Sequence, residues 1–242
     1  RIDRFAQAFR YAELEVAKMS VFTKDWIFEE TADHSYHCKP YYKALLSEFV
    51  QKCKKYGPKT LHETKIPPGE YLTTTQKYFE EGVETHLALG ADLKFAQPCS
   101  SAYPASGEKT LIDGVHGFDK WETMWQGWWG EDITATIDLK SEKEIRALKI
   151  ACMDDQQSWI LAPQWVRFEV SMDGVDYKEL GVVRNPTAAQ KIDKQIIPFA
   201  LTLVQAERVR FVRVMVKNIG QMPKWRGVDG KAWLFADEIV IK

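Results

Sequence analysis

The spacing of apolar residues changes once along this chain, near Thr85, and the two sides of that change suit different secondary structure. Before it, Ile2, Phe5, Phe9, Ala12, Val16 and Met19 recur by threes and fours, the period of a helix. Tyr42, Leu45, Leu46, Phe49, Val50 and Cys53 form a second stripe over 40–56. Lys52, Lys54 and Lys55 lie near its end, and Gly57-Pro58 stops it. Pro67-Pro68-Gly69 then marks a turn before a third helix over 70–83, and Trp26-Ile27-Phe28 is an apolar knot in the connection between the first two. From Asp92 onward the runs are short and alternate by twos, broken by Gly, Pro, Asn and Asp. Strands are expected at 92–97, 133–139, 145–153, 163–171, 177–183, 195–203, 208–216 and 233–241. The reading is α+β by segment: a helical subdomain over 1–85, then an antiparallel β-sandwich over 86–242.

Charge and motifs exclude several function classes. A net charge of −1 makes no electrostatic case for nucleic acid or an anionic membrane. No apolar run approaches the ~20 residues of a spanning helix. The chain opens at Arg1 inside a helical pattern, which reads as a fragment of a longer protein. Cys38, Cys53, Cys99 and Cys152 show no C-x-x-C pair and read as buried free thiols. His34 and His37 lack the glutamate of a zinc-peptidase motif, and no nucleophile elbow or phosphate loop occurs. The acidic pairs Glu29-Glu30, Glu80-Glu81, Asp154-Asp155 and Asp237-Glu238 are adjacent in sequence, whereas glycosidase pairs face each other across a cleft, so they read as solvated carboxylates. Catalytic residues are therefore not expected in this segment.

The β half carries a resemblance. Its elements are Leu111-Ile112-Asp113-Gly114, Trp121 or Trp125, Ile137-Asp138-Leu139, Ile145, the run through Pro163, Val166, Phe168, Val170, Ser171, Asp173 and Gly174, the alternating 209–214, and Asp237-Glu238-Ile239. Their order resembles the discoidin, or coagulation factor V/VIII type C, domain, and more closely its bacterial sugar-binding version, carbohydrate-binding module family 32. The resemblance covers 86–242 and implies an eight-stranded jelly-roll sandwich, galactose-binding-domain-like, with ligand loops at one end. It also implies a structural calcium: carboxylates of Asp113 and Glu238, with carbonyls of Thr110, Val115 and Phe118. The sequence departs from the family at Phe118, where Ser or Thr often supplies a hydroxyl. By themselves, Asp113 also reads as an Asx turn and Glu238 as a strand cap.

The expected partner is a glycan. Indole faces stack on sugar C–H surfaces while polar neighbours read hydroxyls. Trp165 and Trp233 fall within strands and read as core. Trp121, Trp125, Trp128 and Trp129 fall in an expected long loop between Gly117 and Glu131; Trp159 follows the polar run 154–158, and Trp225 adjoins the glycine-rich 227–230. Loops are where binding residues concentrate. The expected contacts are Trp128, Trp129, Gln156, Trp159, Trp225 and Arg226, the alternative being aromatics that plug the end of the sandwich.

The helical half, with Arg4-Phe5, Ala8, Tyr11-Ala12-Glu13-Leu14-Glu15-Val16-Ala17 and the run from Tyr36 to Tyr41, resembles the region before the discoidin domain in bacterial glycoside-hydrolase-like proteins of domain of unknown function 4838. That implies an extracytoplasmic parent enzyme whose catalytic barrel lies outside this segment. The expected role is non-catalytic carbohydrate binding; the rival is a purely structural brace.

Overall fold

A computed structural model describes residues 2–19, 27–32, 36–61, 66–118, 121–186 and 193–242. Trp26 and His34 lie outside the described residues, as does the side chain of Trp121. The chain forms two compact units, Arg1–Glu84 and Thr85–Lys242.

The first unit holds helices α1 (Ile2–Met19), α2 (Pro40–Tyr56) and α3 (Pro68–Glu81) and a small antiparallel hairpin of β1 (Phe28–Glu30) and β2 (Tyr36–Cys38). Proline opens α2 and α3, where a missing N–H costs nothing, and Gly57 closes α2 at φ 58°. Helix α1 departs from expectation. Its stripe of Ile2, Phe5, Phe9 and Val16 is exposed, while Leu14 is buried. It meets α2 through Tyr11 stacked on Phe49, Arg10 paired with Glu48, and Asp3 bonded to Lys52 and Lys55. Those two lysines hold the Asp3 carboxyl below the usual range.

The second unit is an antiparallel β-sandwich. Its strands are β3 (Asp92–Phe95), β4 (Gln126–Trp129), β5 (Ile133–Asp154), β6 (Trp165–Ser171), β7 (Lys178–Arg184), β8 (Gln195–Lys217) and β9 (Trp233–Ile241), in the order β4-β9-β5-β8-β6-β7 with β3 on β5. Where separate strands are expected at 133–139 and 145–153, and at 195–203 and 208–216, the backbone stays paired through the corners, giving the two long strands β5 and β8. Each slips against the other. Asp138 faces Phe211 and Lys143 faces Val209; further on, Ile145 faces Glu207 and Ala147 faces Thr202. The surplus residues loop out, and the strands bend there. One layer is then β3, early β5, late β8, β6 and β7; the other is β4, β9, late β5 and early β8.

Alternation fills the space between the layers. Ile133, Ala135, Ile137, Leu148, Ile150 and Cys152 of β5 join Val166, Phe168, Ile197, Phe199, Val212, Val214, Leu234 and Ile239 in one buried cluster. Each such aliphatic or aromatic side chain contributes roughly 1.5–3 kcal/mol on burial. All four cysteines are free; burial pushes the Cys38 thiol up to about 11 and that of Cys152 further.

Candidate binding site

Two loops meet beyond the end of β5. In the first, the chain leaves β5 at Asp154 and turns through a 3-10 turn, Gln156–Ser158. Asp155 N donates to Ile160 O (2.9 Å) and Ile160 N to Asp155 O (3.1 Å), closing the loop on itself. Trp159 takes φ 64° at its end, and its ring lies so close to Gly230 that a Cβ there would approach it to 2.8 Å. The second loop runs from Asn218 to Trp233. Asn218 is buried and pins its root: Nδ2 donates to Glu131 O (3.0 Å), and Oδ1 accepts from Gly220 N (2.8 Å). Met222 N bonds Gly230 O, and a 3-10 turn, Lys224–Arg226, presents Trp225 before Gly227 reverses the chain at φ 68°.

Between these loops lies a cleft of about 200 Å³, lined by Asp154, Gln156 and Gln164, by Asn185, by Trp225, and by an apolar strip of Leu161, Ala162, Pro163, Ile219 and Pro223. Trp225 is 39% exposed, while Asp154 and Gln156 are 3% and 4% exposed. The Gln156 amide is oriented by chemistry: an ionised carboxylate only accepts, so Nε2 is the atom that faces Asp154 Oδ2 (3.4 Å) and Oε1 points away. Gln195 Nε2 donates to the same Oδ2 (3.3 Å). Asp154 Oδ1 and Gln156 Oε1 are buried with no hydrogen-bond partner. Burial raises the Asp154 pKa; the Gln195 and Gln156 amides and the Ala162 backbone N–H oppose the rise, and Asp155 adds to it. Two unsatisfied buried acceptors in one cleft are uncommon and costly.

The sequence-expected contacts separate. Gln156 and Trp225 both line this cleft. Arg226 is next to Trp225 but outside the lining, with Nε buried and unpartnered. Trp129 and Trp159 stack on each other (6.3 Å, 20°), and Trp129 also packs on Trp233 (4.8 Å), so these rings cover one another at the sandwich end; Trp233 and Trp165 are half-buried rather than core. Trp128 is a correction. The segment expected to be a loop contains a short helix, α4 (Trp121–Met124), and strand β4, and Trp128 is 1% exposed in the core. Its pairing with Leu234 turns the ring inward onto Phe95, and its indole N–H donates to Gln97 O (3.2 Å). Trp125 is likewise fully buried.

The solvated-carboxylate reading also needs correction. Glu29, Glu30, Glu80 and Glu81 are exposed, but Asp154, Asp155, Asp237 and Glu238 are buried. Asp154 was legible by phase: it shares parity with Leu148, Ile150 and Cys152, whose side chains enter the core.

The residues implied for calcium serve another purpose. Along β5, Cys152 and Ile150 are two apart, while their partners on β9, Ala236 and Ile239, are three apart, so β9 carries a bulge at Asp237 and Glu238. The bulge lets both carboxylates turn inward. Glu238 Oε1 accepts from Gly114 N (2.9 Å) and lies 2.7 Å from His86 Nε2, both side chains being fully buried. Ala88 N donates to His86 Nδ1 (3.2 Å), so Nδ1 is bare and Nε2 carries the proton given to Glu238. Asp237 Oδ2 accepts from Gly117 N (3.2 Å). Asp113 Oδ1 takes Val115 N–H (2.9 Å) as an Asx turn, and its Oδ2 takes the Ser106 hydroxyl (3.1 Å). Phe118 O accepts the Trp125 indole N–H (3.0 Å), and Thr110 Oγ1 bonds Gly107 O (2.8 Å). Calcium needs six to eight oxygens free to turn toward it. Here both Asp113 oxygens, Glu238 Oε1 and the Phe118 carbonyl are committed to protein donors, while Glu238 Oε2 and Asp237 Oδ1 are buried with no hydrogen-bond partner. Among the described residues no group of three or more His, Cys, Asp or Glu could hold a metal ion. In this structure the Gly114 N–H bond to Glu238 Oε1 ties the loop to β9, and His86 shares the same oxygen. Chelation with EDTA tests the implied calcium: an unchanged melting temperature leaves the loop held by these protein contacts alone, and a drop that added calcium reverses assigns the metal to it.

No family model matches this chain, and neither does any curated protein. Among solved structures it is similar to CpGH89CBM32-6 produced by Clostridium perfringens, at 19% identity and TM-score 0.42, covering 65% of this chain and 98% of that one. It is similar to CpGH89CBM32-5 from Clostridium perfringens, in complex with GalNAc-β-1,3-galactose, at 13% identity and TM-score 0.43, covering 65% and 99%. It is also similar to a fucolectin from striped bass (Morone saxatilis) serum, at 14% identity and TM-score 0.44, covering 64% and 47%.

Proposed function

We propose that the sandwich is a non-catalytic carbohydrate-binding domain that holds one sugar of a glycan in the cleft between residues 154–164 and Trp225. One observation carries this reading: a half-exposed indole and two buried, unpartnered acceptors share a single cleft. A pyranose has an apolar C–H face and an edge of hydroxyl donors, and the cleft offers a partner for each. At about 200 Å³ it is smaller than the ~300–1,000 Å³ of sites that engulf drug-sized ligands, so it suits a single ring or chain end. Among its described lining residues Asp154 is the only carboxylate, whereas glycoside hydrolysis usually works with two.

The wider setting belongs to the same proposal. The helical unit's resemblance supports the chain as the C-terminal part of an extracytoplasmic bacterial glycoside-hydrolase-like protein, where the sandwich keeps the enzyme near its polysaccharide and raises the local substrate concentration. The packed rings of Trp129, Trp159 and Trp233 favour a bracing role for that part of the loop cluster. Glycan-array and calorimetric binding with Trp225→Ala separates the two readings. Binding is expected to weaken about tenfold or more, with stability within ~0.5 kcal/mol of the parent. Unchanged binding places the sugar site outside the cleft, and no glycan bound by the parent chain leaves only the bracing role.

A further inference from the structure

Resting on that reading, the polar inventory of the cleft specifies the class of sugar. Two of its lining amides are engaged internally, Gln156 Nε2 on Asp154 and Gln164 Nε2 on Asn218 O (3.3 Å), while Asn185 and Trp225 also bring N–H groups to the lining. What remains unspent and buried is two acceptors, Asp154 Oδ1 and Gln156 Oε1. Asp154 is the only ionisable side chain among the described lining residues. Its side-chain hydrogen bonds are long, 3.3 and 3.4 Å, and both come from neutral amides; the Ala162 backbone N–H that also acts on it is neutral too. The charge that acts on it is the like charge of Asp155, whose own Oδ2 is engaged by the Ser158 hydroxyl (3.0 Å). We propose that the cleft selects amino sugars, seating a protonated ring amine against Asp154 and Gln156, and rejects sugars that carry a carboxylate.

The physical reason is compensation. Burial desolvates the Asp154 carboxylate and raises its pKa, and the like charge of Asp155 adds to the rise. An ammonium supplies the missing charge and up to three donors to an acceptor-rich wall. A neutral hydroxyl satisfies the same acceptors without the charge. A uronate brings a second anion into a confined, poorly hydrated space.

The test is calorimetric titration of the full chain, near neutral pH, with glucose, glucosamine and glucuronate and with their galacto counterparts, so that ring stereochemistry is separated from charge. In whichever series binds, the amino sugar is expected to bind about tenfold tighter than the neutral one, the difference between a charge-assisted and a neutral hydrogen bond, and the uronate to show no binding. Asp154→Asn keeps the shape and is expected to bring the amine preference to about one while the neutral sugar still binds. Equal affinity for neutral and amino sugars, or a uronate that binds as well, overturns the selectivity and leaves the carbohydrate-binding reading standing. Binding of none of the six overturns both.

Discussion

Replacing Glu238 with alanine is expected to cost about 3–5 kcal/mol of stability, the sum of two stranded buried donors and a void. Its carboxylate is fully buried and accepts two donors, His86 Nε2–H and Gly114 N–H, from segments far away in sequence. The alanine leaves both donors buried without an acceptor, at roughly 1–3 kcal/mol each, and adds a void in the bulge of β9. At the usual ~2–4 °C per kcal/mol for a chain of this size, the melting temperature falls by about 6–20 °C. Glu238→Gln keeps an acceptor oxygen and is expected to lose less than half as much. Removing both partners together, as His86→Leu with Glu238→Met, is expected to cost less than the sum of the single changes, because neither donor nor acceptor is then stranded. Urea titrations of the four proteins measure this directly. A loss under about 1 kcal/mol for Glu238→Ala would sink the idea that Glu238, through Gly114 N–H, secures the 110–118 loop.

That contact shows where sequence reading reaches its limit. Alternation by twos at 208–216 and 233–241 locates strands because side-chain parity is a local property. The bulge at Asp237-Glu238 is not local: it exists because β9 slips one residue against β5, a fact of pairing between segments about 85 residues apart. Without the bulge, strand parity would send one of the two carboxylates outward. The continuity of β5 and β8 through their corners is hidden for the same reason; 140–144 and 204–207 fall between the expected strands. In the cleft, Gln156 and Trp225 were legible as polar and aromatic loop positions. Asp154 was legible too, from its phase with Cys152, but adjacency to Asp155 suggested a solvated pair instead. The 3-10 turn at 156–158 is what folds that polar run inward.

Trp128→Ala is expected to destabilise the sandwich by about 3–5 kcal/mol, as deletion of a buried aromatic does, with any effect on glycan binding following only from loss of folded protein. The short strand β4 explains why this residue reads as a loop aromatic. It spans four residues, opens on Gln126 and Gly127, and follows a turn of helix, so neither its length nor its pattern announces a strand. Pairing with β9 nonetheless fixes its parity, sending Trp128 toward Phe95 and the buried Leu111 and Ile133 cluster. The truncation removes ring contacts and strands Gln97 O, which the indole N–H satisfies. Trp225→Ala should give the opposite pattern, since its ring is largely outside the core and contributes little to folding. Denaturant midpoints and binding isotherms for the two variants therefore cross: one loses stability and keeps intrinsic affinity, the other keeps stability and loses affinity. A Trp128→Ala protein that melts like the parent but no longer binds glycan would place the sugar site at β4 and overturn the assignment of the cleft.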